Sequence, residues 1–152
     1  MTRSVIHASA GALAMLMVVT FWMSTLLSEV FMGQDAIATV KHTIAFYGLI
    51  PLVMLMAGTG GSGFALAKGR KGRLVDGKKK RMPKIGAIGL LVMIPCALFL
   101  NSKAAVGEFD TTFYVAQILE LAVGALQLTL LGMSFRDGLK LAGRLRASPA
   151  RS

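Results

Sequence analysis

The stretch IAFYGLIPLVMLMAGTGGSGFAL, Ile44–Leu66, contains no charged residue. A helix needs about 20 apolar residues to cross a hydrocarbon core about 30 Å thick, because it rises about 1.5 Å per residue. Three further apolar blocks flank this one, at Val5–Leu27, Ile85–Leu100 and Phe113–Met133. The chain therefore predicts four transmembrane helices, in agreement with its 55% hydrophobic composition and its mean hydropathy of +0.65.

A soluble bundle of hydrophobic helices is the alternative, but its outer faces would carry charged residues at every third or fourth position. Within the four blocks only His7 and Glu120 ionise readily, apart from Cys96. We therefore predict a single domain, residues 1–147, that is an all-α integral membrane four-helix bundle. The predicted helices cover residues 4–31, 40–67, 84–101 and 112–135. An interfacial helix at 136–147 is an additional alternative for the segment that follows, and residues 148–152 are predicted to form a disordered tail.

The net charge of +10 is concentrated in a few segments of the chain. Nine basic residues lie between the second and third blocks against one acid, Asp76, and residues 136–151 add five more. Short basic loops stay on the cytoplasmic side of a membrane. We therefore predict a multi-pass protein of the bacterial inner membrane whose middle loop and two termini are cytoplasmic. The basic loop consists of Lys68, Arg70, Lys71, Arg73, Lys78, Lys79, Lys80, Arg81 and Lys84.

This charge distribution also bears on the partners of the protein. Basic residues beside a membrane helix attract anionic lipid head groups, so the loop is predicted to face the lipid surface. Topology and lipid binding together account for the positive charge, and we predict no nucleic acid partner.

Three glycines, Gly58, Gly60 and Gly63, match the spacing G-x-G-x-x-G. A dinucleotide site needs a strand before the glycines and an acid about 20 residues later. Here a membrane-length apolar run precedes them, so we predict no nucleotide binding. Small residues in membrane helices allow another helix to approach closely, and we favour that role. The same space would also accommodate a flat macrocycle such as haem b.

A haem at this position would use His7, because His42 lies at the opposite end of its helix and the two cannot share one iron. Histidine and methionine are both haem ligands, but His7 as a hydrogen-bonding residue and methionine as a core filler are the alternatives. No metal-ligand spacing such as H-x-x-x-H or C-x-x-C occurs, so no metal site is predicted. The candidate haem site consists of His7, Met56, Gly58, Gly60, Gly61 and Gly63.

Glu120 is the strongest single functional hint, because an ionisable group inside a membrane helix should face the bundle interior or a wet cavity. Gln117 lies three residues before it, and Gly124 and Gln127 lie four and seven residues after it, so helical geometry places all four on one face. This face is either a hydrogen-bond network between helices or a site for a proton, an ion, a quinone or another small ligand. The predicted polar intramembrane cluster consists of Glu29, Lys41, His42, Tyr47, Gln117, Glu120 and Gln127.

Several pieces of the chain resemble uncharacterised four-helix proteins of the bacterial inner membrane. The resemblance covers nearly the whole chain, supports the membrane interpretation, and implies no activity and no functional residue. The pieces that carry it are IHASAG (Ile6–Gly11), FWMSTLLSE (Phe21–Glu29), GGSGFALA (Gly60–Ala67), KKKRMP (Lys78–Pro83) and GEFDTTFYVAQILEL (Gly107–Leu121).

Because the sequence contains no catalytic constellation, the leading hypothesis is a non-enzymatic membrane protein. It would act as a homo-oligomer or as a small subunit of a larger membrane complex. The first alternative is a b-type haem-binding or quinone-linked electron-transfer protein. The second alternative is a proton-coupled transporter or channel element that uses Glu120.

Overall fold

The computed structural model describes residues 2–143, which form four long helices and no strand. Helix α1 is Thr2–Phe31, α2 is Gln34–Ala67, α3 is Arg73–Ala105 and α4 is Thr111–Leu141. All four, α1 from Ser4 onward, are long and apolar enough to cross a membrane. The predicted tail at 148–152 and the end of the predicted interfacial helix, 144–147, lie outside the described residues.

Helices α2 and α3 begin at least six residues before their predicted starts, and α3 and α4 end at least four residues after their predicted ends. Helix α2 starts at Gln34 instead of near residue 40, and α3 starts at Arg73 instead of near residue 84. Lysine and arginine are good helix formers, and Asp76 in the first turn of α3 complements the helix dipole. Most of the predicted basic loop is therefore helical. Helix α4 continues without a break through residues 136–141, where a separate interfacial helix is predicted.

Helices α2 and α3 each contain one π-helical turn shortly before a proline. The turns are Ile44–Gly48 and Gly89–Met93, and the prolines are Pro51 and Pro95. A proline lacks an N–H donor, and its ring crowds the carbonyl four residues earlier, which in both helices belongs to the π turn. The wider turn gives that carbonyl room, and both helices continue past their prolines.

Helices α1 and α2 pack side by side through contacts between rings and glycines. The ring of Phe21 lies against Gly48, and the ring of His7 lies against Gly63, where a β-carbon would be 2.9 Å from His7 Cε1. Small residues at such points bring two helices close together. The two contacts also show that the helices run antiparallel, because the earlier residue of α1 meets the later residue of α2.

One end of the bundle, which we call the basic end, gathers the start of α1, the end of α2, the start of α3 and the end of α4. Lys78 Nζ lies 3.3 Å from His7 Nε2 and 3.4 Å from the position that a β-carbon would take on Gly138. Arg81 joins α3 to α4 through an ion pair of 2.5 Å with Asp137. The positively charged segments found in the sequence therefore meet at one end of the fold.

The opposite end, which we call the far end, contains the turn between α1 and α2 and the loop before α4. A small hydrophobic core closes it, formed by Ile37, Leu100, Ala104 and Phe113. Helix α4 begins with Asp110 as its N-cap, whose carboxylate accepts a 2.9 Å hydrogen bond from the Phe113 amide. This core and this cap hold the beginnings of α2 and α4 against α3.

Candidate functional site

A buried ion pair joins α2 to α4 near the far end. Lys41 Nζ donates to Glu120 Oε2 at 2.5 Å, and Gln117 Nε2 donates to the same oxygen at 3.2 Å. Lys41 is 2% exposed and Glu120 is 9% exposed. Because a buried charge is tolerated only when it is paired and hydrogen-bonded, each partner depends on the other.

Glu29 brings a second carboxyl group to this pair from α1. It is close enough to interact electrostatically with both Lys41 and Glu120. Its Oε1 atom is buried and has no hydrogen-bond partner among the described residues, and the same is true of Gln117 Oε1. We call Glu29, Lys41, Gln117 and Glu120 the far-end cluster. It contains two carboxyl groups, one ammonium group and two unused acceptor oxygens.

Three residues of the predicted polar cluster lie elsewhere. His42 and Tyr47 are exposed, and the imidazole of His42 stacks on Phe46 with ring centroids 4.6 Å apart. One residue along a helix is a rotation of about 100°, so the neighbour of the buried Lys41 turns away from the core. Gln127 is buried but lies deeper in the bundle, two turns beyond Glu120 along α4.

The inward face of α4 is polar along most of its length. Gln117, Glu120, Gln127 and Ser134 are all at least nine-tenths buried. The Oε1 atoms of both glutamines and Ser134 Oγ have no hydrogen-bond partner in the described part of the chain. The first three residues were predicted from the sequence and Ser134 was not, although its offset of seven from Gln127 repeats the offset between Glu120 and Gln127. At Gly124, between them, the Trp22 ring packs closely against the helix.

A cavity of about 870 Å³ lies between the four helices toward the basic end. Its walls are mostly apolar and include residues from every helix. Ser134 is one of the wall residues, and its Oγ atom is buried without a hydrogen-bond partner among the described residues. The large side chains that line the cavity include Met15, Met56, Met82, Met93, Leu131 and Phe135.

His7 and Lys78 form the polar boundary of this cavity. His7 Nδ1 lies 3.0 Å from the Thr59 carbonyl oxygen and 3.1 Å from Ser62 Oγ. An ammonium group can only donate, so Nε2 accepts from Lys78 Nζ at 3.3 Å and the proton of a neutral ring is on Nδ1. Both ring nitrogens are therefore engaged in hydrogen bonds.

The candidate haem residues that belong to α2 are divided between two faces of this helix. Met56 and Gly60 line the cavity, and Gly63 lies beneath the imidazole ring. Gly58 and Gly61 are exposed, and an added β-carbon would meet no described atom within 4 Å at either position. The close helix contact favoured for this segment is therefore made at Gly63, whereas Gly58 and Gly61 face outward.

A smaller cavity of about 120 Å³ adjoins the first at the basic end. The two share His7 and Lys78 in their walls, and the smaller one adds Arg70 and Lys79. Arg70 and Lys79 therefore add positive charge next to the larger, mostly apolar cavity. The other basic-loop residues are distributed around this end, with Arg81 paired to Asp137 and with exposed side chains at Lys68, Lys71, Arg73, Lys80 and Lys84.

No family model, curated protein or solved structure matches this chain. The resemblance to four-helix proteins of the bacterial inner membrane therefore stays a prediction. Within residues 2–143 no three His, Cys, Asp or Glu side chains are grouped so that they could hold a metal ion. Function is accordingly inferred from the cavity and the far-end cluster.

Proposed function

We propose that this chain is a non-enzymatic integral membrane protein that binds one amphiphilic molecule inside its four-helix bundle. The observation that carries the proposal is the cavity of about 870 Å³ between the helices. Ligand sites in proteins typically have volumes of about 300 to 1,000 Å³ and combine apolar walls with a few placed polar groups. An amphiphilic molecule dissolved in the bilayer likewise combines a large apolar part with a few polar groups.

The polar groups indicate how the ligand lies in the cavity. Lys78 and His7 stand at the basic end, with Arg70 and Lys79 in the adjoining space. Ammonium and guanidinium groups donate to carbonyl, carboxylate or phosphate oxygens. The ligand therefore places an oxygen-rich head at the basic end and an apolar body along the methionine-rich walls, which adapt to irregular shapes. A quinone and an anionic lipid both have this chemistry.

Haem is a less suitable occupant than such an amphiphile. An axial histidine binds iron through one ring nitrogen while the other donates a hydrogen bond to a protein acceptor. The Nδ1–H of His7 does make such a bond to the Thr59 carbonyl. However, the Lys78 ammonium group donates to Nε2, the nitrogen that iron would need. Iron could bind His7 only by breaking this hydrogen bond, and Nδ1 is already engaged with Thr59 and Ser62.

Two neighbouring glycines allow a matched test of ligand binding. Gly60 lines the cavity and Gly61 does not, while an added β-carbon meets no described atom within 4 Å at either position. Gly60→Leu therefore fills the cavity, and Gly61→Leu places the same side chain on the outside. Native mass spectrometry of protein extracted from membranes measures the bound amphiphile. We expect Gly60→Leu to lower its occupancy at least about tenfold, a loss of about 1.4 kcal/mol, and Gly61→Leu to retain it.

Two results would contradict the proposal. One is a wild-type protein that leaves the membrane without any bound small molecule, and the other is equal occupancy in the two leucine variants. A Soret band in the visible spectrum of the wild-type protein would identify the occupant as haem and would reject the amphiphile.

We infer that the basic end faces the cytoplasm of a bacterial inner membrane. Positive charge in short loops favours retention on the cytoplasmic side, and the basic segments are gathered at this end. Lys71 at the basic end and Ser102 near the far end are both exposed. In a background without the native cysteine, Lys71→Cys should resist a membrane-impermeant thiol reagent in intact cells, whereas Ser102→Cys should react. The opposite labelling pattern would reverse the orientation.

Assembly as a homo-oligomer or as a small subunit of a larger complex stays part of the proposal. The exposed glycines of α2 support it, because small residues on a lipid-facing surface let another helix approach closely. We expect the protein part of the purified protein–detergent complex, with the bound detergent subtracted, to be heavier than one 16.1 kDa chain. Gly58→Leu should reduce it to the monomer mass, and a monomeric wild-type protein without any co-purifying chain would exclude assembly.

A further inference from the structure

The far-end cluster lies at the opposite end of the bundle from the proposed amphiphile site and has a separate chemistry. It combines Glu29, Lys41 and Glu120, so one cation faces two acids in a largely buried space. We propose that this cluster is a proton-binding site and that Glu29, not Glu120, carries the exchangeable proton.

Glu120 is held as a carboxylate by its two donors. Its Oε2 atom accepts from the Lys41 ammonium at 2.5 Å and from the Gln117 amide at 3.2 Å. A proton on Glu120 would leave Lys41, which is 2% exposed, as a buried charge without an ionised partner. The two groups therefore compensate each other's charge inside the bundle.

Glu29 has no comparable donor. Its Oε1 atom is buried without a hydrogen-bond partner among the described residues, and the only cation nearby already serves Glu120. A second negative charge here would have no ion-pair partner of its own, because Lys41 is bound to Glu120, and partial burial disfavours such a charge relative to a neutral acid. Protonation of Glu29 makes the cluster neutral as a whole.

The groups around Glu29 come from every helix of the bundle. Lys41 faces it from α2, whereas His42 turns outward. From α3, Cys96 lies within electrostatic range of the ion pair, and its thiol donates to a backbone carbonyl of α4 at 3.3 Å. Helix α4 contributes Glu120 and Gln117. Lys41 and Glu120 are the charged groups that act on Glu29 among the described residues.

Gln117 provides the second observation that points to a proton. Its residue is 3% exposed, its amide nitrogen is committed to Glu120, and its Oε1 atom has no partner. An unused acceptor of this kind in the cluster suits the O–H donor of a protonated carboxyl group. Glu29 itself is only partly buried, so water at the far end can deliver and remove the proton. The step is reversible transfer of a proton between water and a Glu29 carboxylate oxygen.

Infrared spectra recorded during a pH titration of the protein in lipid nanodiscs test this proposal directly. A protonated carboxyl group shows a carbonyl band that an ionised carboxylate lacks. We expect the wild-type protein to show such a band at neutral pH and to lose it when the pH is raised. Glu29→Gln should abolish the band, and Glu108→Gln, which changes an exposed carboxylate of the far-end loop, should leave it unchanged.

Conservative variants decide which acid carries the proton. Glu29→Asp keeps a carboxyl group in a changed position and should shift both the band and its titration midpoint. Glu120→Asp keeps an anion for Lys41 and should leave both in place. The reverse pattern would assign the proton to Glu120 and overturn the proposal. So would the absence of the band in the wild-type protein, or a midpoint that depends on sodium concentration, which would indicate a metal cation site.

The same samples separate this proposal from amphiphile binding. The cluster and the cavity have no wall residue in common. Glu29→Gln should therefore lose the infrared band and keep the bound amphiphile, whereas Gly60→Leu should lose the amphiphile and keep the band. A variant that lost both signals through misfolding would show reduced helicity by circular dichroism. In that case the comparison of Glu29→Asp with Glu120→Asp tests whether Glu29 carries the proton.

Discussion

Replacement of Lys41 by methionine should strongly destabilise the bundle, because Lys41 supplies the only ammonium group of the far-end cluster. It is 2% exposed and binds Glu120 at 2.5 Å. Removal of one member of a buried ion pair leaves the other as an uncompensated charge, which typically costs about 3 to 5 kcal/mol. We expect a loss of this size in the free energy of unfolding of Lys41→Met at neutral pH.

The expected loss of stability in Lys41→Met arises from the Glu120 carboxylate, which is left without its partner. Removal of that carboxylate as well should therefore restore most of the lost stability. Replacement of a whole buried ion pair by apolar side chains of similar volume is often neutral or stabilising. The double variant Lys41→Met, Glu120→Met should therefore unfold within about 1 kcal/mol of the wild-type protein. The carboxylate of the single variant can also bind a proton, so its deficit should shrink as the pH falls.

Reversible unfolding in mixed micelles with increasing SDS, followed by circular dichroism, measures these differences. Lys103→Met is the matched control, because Lys103 forms its ion pairs, with Glu108 and Asp110, at the surface. Exposed pairs contribute little, so its loss should be much smaller. The reasoning would be refuted by a single variant that loses less than about 1 kcal/mol, or by a double variant no more stable than the single one.

Two further predictions concern local packing and capping. Gly63→Ala places a β-carbon 2.9 Å from a histidine ring atom and should cost about 1 to 3 kcal/mol in SDS unfolding, whereas Gly58→Ala enters open space and should be neutral or stabilising by up to about 1 kcal/mol. The hydrogen bond from Lys103 and then that from the Phe113 amide hold the pKa of Asp110 below its usual value. The resulting stabilisation is present above the usual pKa of an aspartate and is lost as the pH falls through the lowered pKa of Asp110. Amide protection at the start of α4, measured relative to the intrinsic exchange rate at each pH, should therefore fall in acid. Asp110→Ala should show the lower protection already at neutral pH, and wild-type protection in that variant would contradict the capping role.

Hydropathy was sufficient to find the four helices, since a helix satisfies its backbone hydrogen bonds within its own segment. Hydropathy did not locate the ends of the helices correctly, because charged residues are compatible with a helix as well as with a loop. The start of α3 at Arg73 shows this, since a stretch rich in lysine and arginine was assigned to a loop by charge alone. The π turns that precede Pro51 and Pro95 carry no separate signal in the sequence.

The candidate site was predictable only in part. The helical offsets along α4 placed Gln117, Glu120 and Gln127 on one face, and all three are buried. The same approach cannot choose between Lys41 and His42, which are adjacent in sequence and differ only in the direction that each takes around α2. That direction depends on which side of α2 faces the interior of the bundle, where Lys41 reaches Glu120 of α4.

The sequence by itself determines that residues 2–143 form long apolar helices, that one face of α4 is polar, and that positive charge accumulates beside particular helices. These properties depend on composition and on spacing within one helix, where the geometry repeats every 3.6 residues. Only the tertiary structure decides that Lys41 pairs with Glu120, that Glu29 remains without a donor, and that a cavity stays open between the helices. Those outcomes depend on the distances between residues far apart in the chain, which are set by the ring-on-glycine contacts that bring the helices together.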